Sequence, residues 1–209
     1  DPDEAIAKGL ARLEGASDDP VVDGLRGDLL LTRAQRELNT ERAPVVATLR
    51  AAIAALEAAL EAAPDDPERL ADLARAQELL GDQLYRSGED GDALFAHASA
   101  RLEAVVAEHP EYVFLRRRLV DLLSEQGYQR SVRGGDAVPV LQEALRQADA
   151  ALARWPKSAG LLAAKGMAAR SLAETYGATI QAVSGEALRE GFPLIHTVGR
   201  ASPRAPRLI

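Results

Sequence analysis

Gln77-Glu78-Leu79-Leu80-Gly81-Asp82-Gln83-Leu84, then Ala98-x-x-x-Leu102-x-x-Val105-Val106, then Pro110, is the stretch that decides the fold. Apolar residues recur there three or four positions apart, which is the period of a helix face. Two such runs on either side of Ser87-Gly88-Glu89-Asp90-Gly91 read as two helices joined by a turn, with Pro110 as the stop. The same skeleton returns 46 residues later: Gly81 becomes Gly127, Ala98 becomes Ala144 and Pro110 becomes Pro156. Further columns at that spacing are Ala52/Ala98/Ala144, Leu56/Leu102/Ala148/Leu194 and Leu60/Val106/Leu152/Val198. A hairpin with one apolar side cannot bury that side alone, so repeated hairpins stack and share a core.

Working outward, the spacing predicts helices over about 1–16, 20–39, 44–63, 67–86, 92–109, 111–132, 137–155 and 158–176. The Asp-Pro pairs at 19–20 and 66–67 mark helix starts, with the acid as cap and proline in the first turn. Beyond Gly177 the pattern weakens, and Gly185, Gly191 and Pro193 are read as interruptions. The chain is divided into units at about 1–17 (partial), 18–63, 64–109, 110–155 and 156–201 of a single repeat domain.

Composition agrees with an all-α chain. Of 209 residues, 47% are hydrophobic, 27% charged and only 4% aromatic, with Ala, Leu, Arg and Glu prominent. These are strong helix formers. The net charge of −7 gives no broad attraction to nucleic acid or anionic membrane. Arg116-Arg117-Arg118 is a local exception, but adjacent helical residues point in different directions, so it reads as solvated surface and partner salt bridges. No cysteine is present, which excludes disulfides, thiolate metal sites and a cysteine nucleophile. The densest apolar run, Ala51 to Ala63, carries Glu57 and Glu61, so no direct membrane insertion is expected. The start at Asp1 reads as the edge of a fragment of a longer protein, and the compartment, cytoplasm or periplasm, is left open.

No constellation for catalysis stands out. His97, His109 and His196 lack metal-site spacing, and no phosphate-cradling glycine loop, HExxH or GxSxG occurs. The acidic pairs Asp18-Asp19, Asp65-Asp66 and Glu89-Asp90 sit at helix starts, where capping and the helix dipole favour them. The expectation is a protein that is not an enzyme and holds no cofactor or metal.

Leu80-Gly81-x-x-Leu84 in the first helix, and Ala144-Leu145-x-x-Ala148-x-x-Ala151-Leu152-x-x-x-Pro156 in the second, resemble the tetratricopeptide repeat (TPR) family over about residues 20–177. The family's unit is 34 residues and this one is 46, so helices or turns are longer. The resemblance implies a right-handed α-solenoid of antiparallel helix pairs. It also implies a concave groove, lined by the first helix of each pair, that binds a protein or peptide without catalysis. Carried over through the Leu-Gly register, the groove positions are Arg75, Glu78, Asp82, Tyr85 and Arg86 in one unit and Asp121, Ser124, Tyr128 and Ser131 in the next. Flanking units add Thr32, Arg36, Asn39, Met167, Arg170 and Glu174. The family's Lys/Asn clamp for a terminal carboxylate is not matched, because those positions carry Glu78, Ser124 and Asp82. Tyr85 and Tyr128 are the expected anchors, with the arginines as charge contacts. Two alternatives stand beside this reading. One is a regulatory TPR tail of a bacterial serine/threonine kinase, suggested by Leu80 to Gly88. The other is a self-associating scaffold that forms a homodimer through Phe192, Leu194 and Ile195 of its C-terminal unit.

Overall fold

The computed structural model describes residues 1–14, 16, 19–39 and 45–189, with side chains as far as Thr179. Every regular element among them is a helix: α1 (Pro2–Leu13), α2 (Pro20–Asn39), α3 (Val45–Ala62), α4 (Pro67–Ser87), α5 (Asp92–Glu108), α6 (Val113–Val132), α7 (Val138–Arg154) and α8 (Ala159–Arg189). Each helix packs against the next in the chain. In addition α2 touches α4, α4 touches α6 and α6 touches α8, whereas α3, α5 and α7 do not approach one another. The even-numbered helices therefore form an inner row, and α3, α5 and α7 an outer one. The helices α4, α6 and α8 begin at Pro67, Val113 and Ala159, 46 residues apart.

Local chemistry explains the boundaries. Asp66 caps α4, its Oδ1 accepting from the amides of Glu68 at 2.9 Å and Arg69 at 3.2 Å. Asp19 and Asp90 accept from the amides of Val21 and Asp92 in the same way, each at 2.9 Å. These contacts satisfy amide donors that a helix leaves free in its first turn. At the other end, Gly88 takes the left-handed conformation at φ 86°, and the amide of Glu89 donates back to the carbonyl of Leu84 at 2.8 Å. Gly134 repeats this at φ 73°, with Gly135 donating to Arg130, also at 2.8 Å. A side chain at these positions would crowd the backbone. His109 and Trp155 close α5 and α7 in matching fashion, each amide reaching the carbonyl four residues earlier.

One continuous core runs from Leu31 to Ala168. The 46-residue columns supply it: Ala52, Ala98 and Ala144 belong to it, as do Leu56 and Leu102, while Ala148 is buried beside it with Val120 and Ala164. Gly81 and Gly127 occupy corresponding environments. A Cβ at Gly81 would lie 2.5 Å from the ring of Phe95, and one at Gly127 would lie 2.5 Å from Leu141. Phe95 and Leu141 are themselves 46 residues apart, each in the first turn of the outer helix that follows. Both are completely buried, each contributing roughly 2–3 kcal/mol from apolar area removed from water.

One expectation changes. The last helix runs without a break from Ala159 to Arg189, straight through Gly177 and Gly185. An added Cβ at Gly177 would meet nothing within 4 Å, so this glycine serves no close approach and ends no helix. In α2 the buried positions are Gly24, Gly27, Leu31 and Ala34, while Leu25 is exposed. Gly27 leaves room for Leu56 and Gly24 for the guanidinium of Arg69, so glycines that look unfavourable in a helix make the α2 contacts possible. The proposed homodimer residues Phe192, Leu194 and Ile195 lie outside the described residues, as does the connection at 40–44.

Candidate cleft on the inner row

The inner row carries a cleft of about 680 Å³ across α4, α6 and α8. Arg75 and Glu78 come from α4, Arg117, Arg118, Asp121, Ser124 and Tyr128 from α6, and Met167, Arg170 and Glu174 from α8. They share one wall because they recur at three- and four-residue steps along parallel helices.

Glu78 forms the floor. It is buried, yet both its oxygens are taken: Arg75 pairs with Oε1 from the same helix, and Arg118 reaches Oε2 at 2.7 Å from α6. Burial pushes the Glu78 carboxyl above its ordinary range, outweighing the opposing pull of the Arg118 and Arg75 guanidinia. Arg117 pairs with Asp121 at 3.3 Å and Arg170 with Glu174 at 2.8 Å, both one turn apart on exposed helix faces. Such pairs hold weakly in water, so these guanidinia can change partners at small cost. Between them Tyr128 is 45% and Met167 62% exposed. An aromatic and a flexible thioether, ringed by charge, make an apolar contact point with a polar rim.

Of the residues expected in a groove, Arg75, Glu78, Asp121, Tyr128 and Arg170 line this cleft, together with Ser124, Met167 and Glu174. Asp82, Arg86, Tyr85 and Arg36 do not. Asp82 accepts from Arg86 at 2.8 Å and from Gln129 of α6 at 2.6 Å, so it ties α4 to α6. Arg36 pairs with Asp3 at 2.5 Å and fastens α1 to α2.

The expected exposure of Tyr85 is corrected most clearly. It is only 8% exposed and stacks on Phe95, with ring centroids 5.8 Å apart. Its hydroxyl donates to Asp92 Oδ1 at 2.6 Å, and the Arg133 guanidinium lies over its ring at 5.0 Å. The same Asp92 oxygen accepts from Gln126 at 3.1 Å and Arg130 at 2.9 Å, closing a latch between α4, α5 and α6. Burial, reinforced by Asp92, drives the Tyr85 hydroxyl far above the usual phenol range. On Asp92, burial works upward, but the donors from Arg130, Tyr85 and Gln126 prevail and hold the carboxyl below its usual range.

Arg117 and Arg118, read as solvated surface with salt-bridge partners, pair with Asp121 and Glu78 and also line the cleft. The signal was available: Arg117 lies one helical turn before Asp121, on the same stripe. Arg116 points elsewhere and donates to the carbonyls of Val106 at 2.7 Å and Pro110 at 3.4 Å, where α5 ends. Its role follows from the helix dipole, which favours a cation there.

Among the described residues no group of three His, Asp or Glu side chains is placed to hold a metal ion. No helix among them is long and apolar enough to cross a membrane. Comparison of the chain with family models, curated proteins and solved structures gives no significant match.

Proposed function

We propose that this chain is a non-catalytic binding scaffold, a right-handed TPR-like solenoid with a 46-residue unit that holds a protein or peptide partner in the cleft of its inner row. One observation carries this reading: Tyr128 and Met167 stand exposed in the middle of a three-helix cleft whose charged side chains pair mostly with each other. An extended segment or helix laid across α4, α6 and α8 buries both apolar side chains. Its acidic groups exchange with Asp121 and Glu174 for Arg117 and Arg170. Tyr and Arg are the residue types that most often carry interface energy, and Met adapts to varied partner surfaces. Tyr128 replaces Tyr85 as the aromatic anchor, since Tyr85 is spent on the latch with Asp92.

A photo-crosslinking residue at position 128 tests the placement, with one at the exposed Ala100 of α5 as outer-row control. The reading expects a defined crosslinked protein from position 128 and none of that mass from position 100. Equal crosslinking from both positions would remove it.

A further inference from the structure

The beginnings of α4 and α6 enclose a second cavity of about 430 Å³, lined by Glu68, Ala71, Asp72 and Phe114. It continues the inner-row cleft. Asp72 lies three residues before Arg75 and Phe114 three before Arg117, so each is one helical turn from a cleft residue on its own helix. Phe114 supplies one wall and is 44% exposed, with Tyr112 tilted against it at 6.1 Å between ring centroids. Glu68 and Asp72 supply the carboxylates. Neither makes an ion pair among the described residues, whereas Glu78, Asp121 and Glu174 of the cleft all hold arginines. The charges that act on Asp72 are Asp28, Glu68 and Arg69, three acids with itself against one guanidinium. That guanidinium is already engaged: Arg69 pairs with Asp28 and donates to the carbonyl of Gly24 at 3.3 Å. Asp72 is left sharing a hydrogen bond with Asp28, another acid.

The next step of the repeat shows which group is missing. Forty-six residues on, Ala71 corresponds to Arg117 and Phe114 to Gly160. Between α6 and α8 the Arg117 side chain lies against Gly160, where an added Cβ would meet its Cδ at 3.0 Å and its Nη1 at 3.6 Å. Between α4 and α6 the arginine's position is Ala71 and the glycine's is Phe114. The cavity therefore stands where the neighbouring step carries a guanidinium, and it offers an aromatic face and two carboxylates in place of one.

We propose that this cavity takes the guanidinium of an arginine side chain carried by the partner segment in the cleft, laid on Phe114 and paired with Glu68 and Asp72. A planar guanidinium can lie flat on an aromatic face while its edges donate to carboxylates on either side. The charge it brings is the one the three acids lack. This deepens the cleft reading, and rests on it for the source of the arginine. It also gives the partner a direction: its arginine lies at the beginnings of α4 and α6, and the acidic groups that meet Arg117 and Arg170 lie further along the cleft.

Arginine amide is the probe, and citrulline amide, which carries a neutral urea in place of the guanidinium, is its control. Titrated into the isotope-labelled full chain at pH 7.5 and followed by nuclear magnetic resonance, arginine amide should shift the backbone amides of Ala71, Asp72 and Phe114 to saturation. Citrulline amide should bind about ten-fold or more weakly. Asp72→Asn should weaken arginine amide about ten-fold or more. Ala71→Arg supplies the guanidinium from within and should abolish binding. Glu61→Gln, at an exposed acid of the outer-row helix α3, should leave it unchanged. Circular dichroism confirms that the variants fold. Absence of a saturable shift, equal binding of the two amides, or binding that Asp72→Asn leaves intact overturns the proposal. So does binding that emerges only when Arg42, Arg200, Arg204 and Arg207, which lie outside the described residues, are together changed to glutamine, because this chain then fills its own cavity. None of these outcomes alters the crosslink expected from position 128, so the cavity and the cleft reading fail separately.

Discussion

Gly127 and Gly166 are both helical glycines, yet their surroundings demand opposite behaviour. A methyl group at Gly127 would press into Leu141 at 2.5 Å, deep in the shared core, whereas one at Gly166 meets open space. Gly127→Ala should therefore destabilise the fold by about 1–3 kcal/mol through overpacking. Gly166→Ala should stabilise it by about 0.5–1 kcal/mol through helix propensity. Urea unfolding of the two variants measures both, and equal effects would contradict the packing described. Asp72 offers a test by pH. Burial, with the nearby charge of Asp28, raises its carboxyl to about 6, against the opposing pull of Arg69. A raised carboxyl binds its proton more tightly folded than unfolded, so this contribution to stability weakens as pH climbs from about 4 to 6 and stays lost above. Asp72→Asn should accordingly stabilise the protein at pH 7.5 and change little at pH 4. Thermal unfolding at the two values checks it, and a benefit confined to low pH would reverse the sign of the argument.

Helix ends were the part of the fold most legible in the chain, because their chemistry is local. Asp66 before Pro67, and Gly88 with its counterpart Gly134, state a start and two stops without help from tertiary structure. Replacing Gly134 by Ala should cost about 1–2 kcal/mol, since its φ of 73° is unfavourable for a side chain; the same change at the helical Gly177 should not. Comparative denaturation of this pair tests whether positive φ, rather than glycine as such, ends these helices. Features that depend on neighbours were harder to read. Gly177 resembles a stop, but a helix of 31 residues absorbs it. Tyr85 and Tyr128 look alike as groove aromatics, yet they are not in one column: Tyr128 is 46 residues after Asp82. Three residues along a helix turn the side chain by about 300°, which carries Tyr85 away from the cleft and into α5. Its hydroxyl then serves Asp92, so Tyr85→Phe should lower stability by about 1–2 kcal/mol while leaving any cleft ligand's affinity unchanged. Titration of a cleft ligand against that variant, alongside urea unfolding, separates the two roles. For the cleft itself, the residues of α6 and α8 could be read from the register. Arg118 is the exception, since its place depends on Glu78 of α4 as its neighbour.

At the scale of the whole molecule, one core passes through every pair from α2 to α8, so the inner row is held as a single wall rather than as separate hairpins. Latches between units reinforce it: Arg118 to Glu78, Gln129 to Asp82, and Arg130 to Asp92 each join α6 to an earlier helix. A wall fixed in this way presents Tyr128 and Met167 at constant separation, which lowers the ordering cost of a partner that touches both. The measurement that bears most directly on this is quantitative capture from cell extract by the immobilised chain, comparing wild type with the double variant Tyr128→Ala/Met167→Ala. Both side chains lie outside the buried core, at 45% and 62% exposed, so the double variant should keep its fold. The account predicts a specific protein retained by wild type and reduced about ten-fold or more by the double variant. Retention of the same protein in equal amount by both would contradict it.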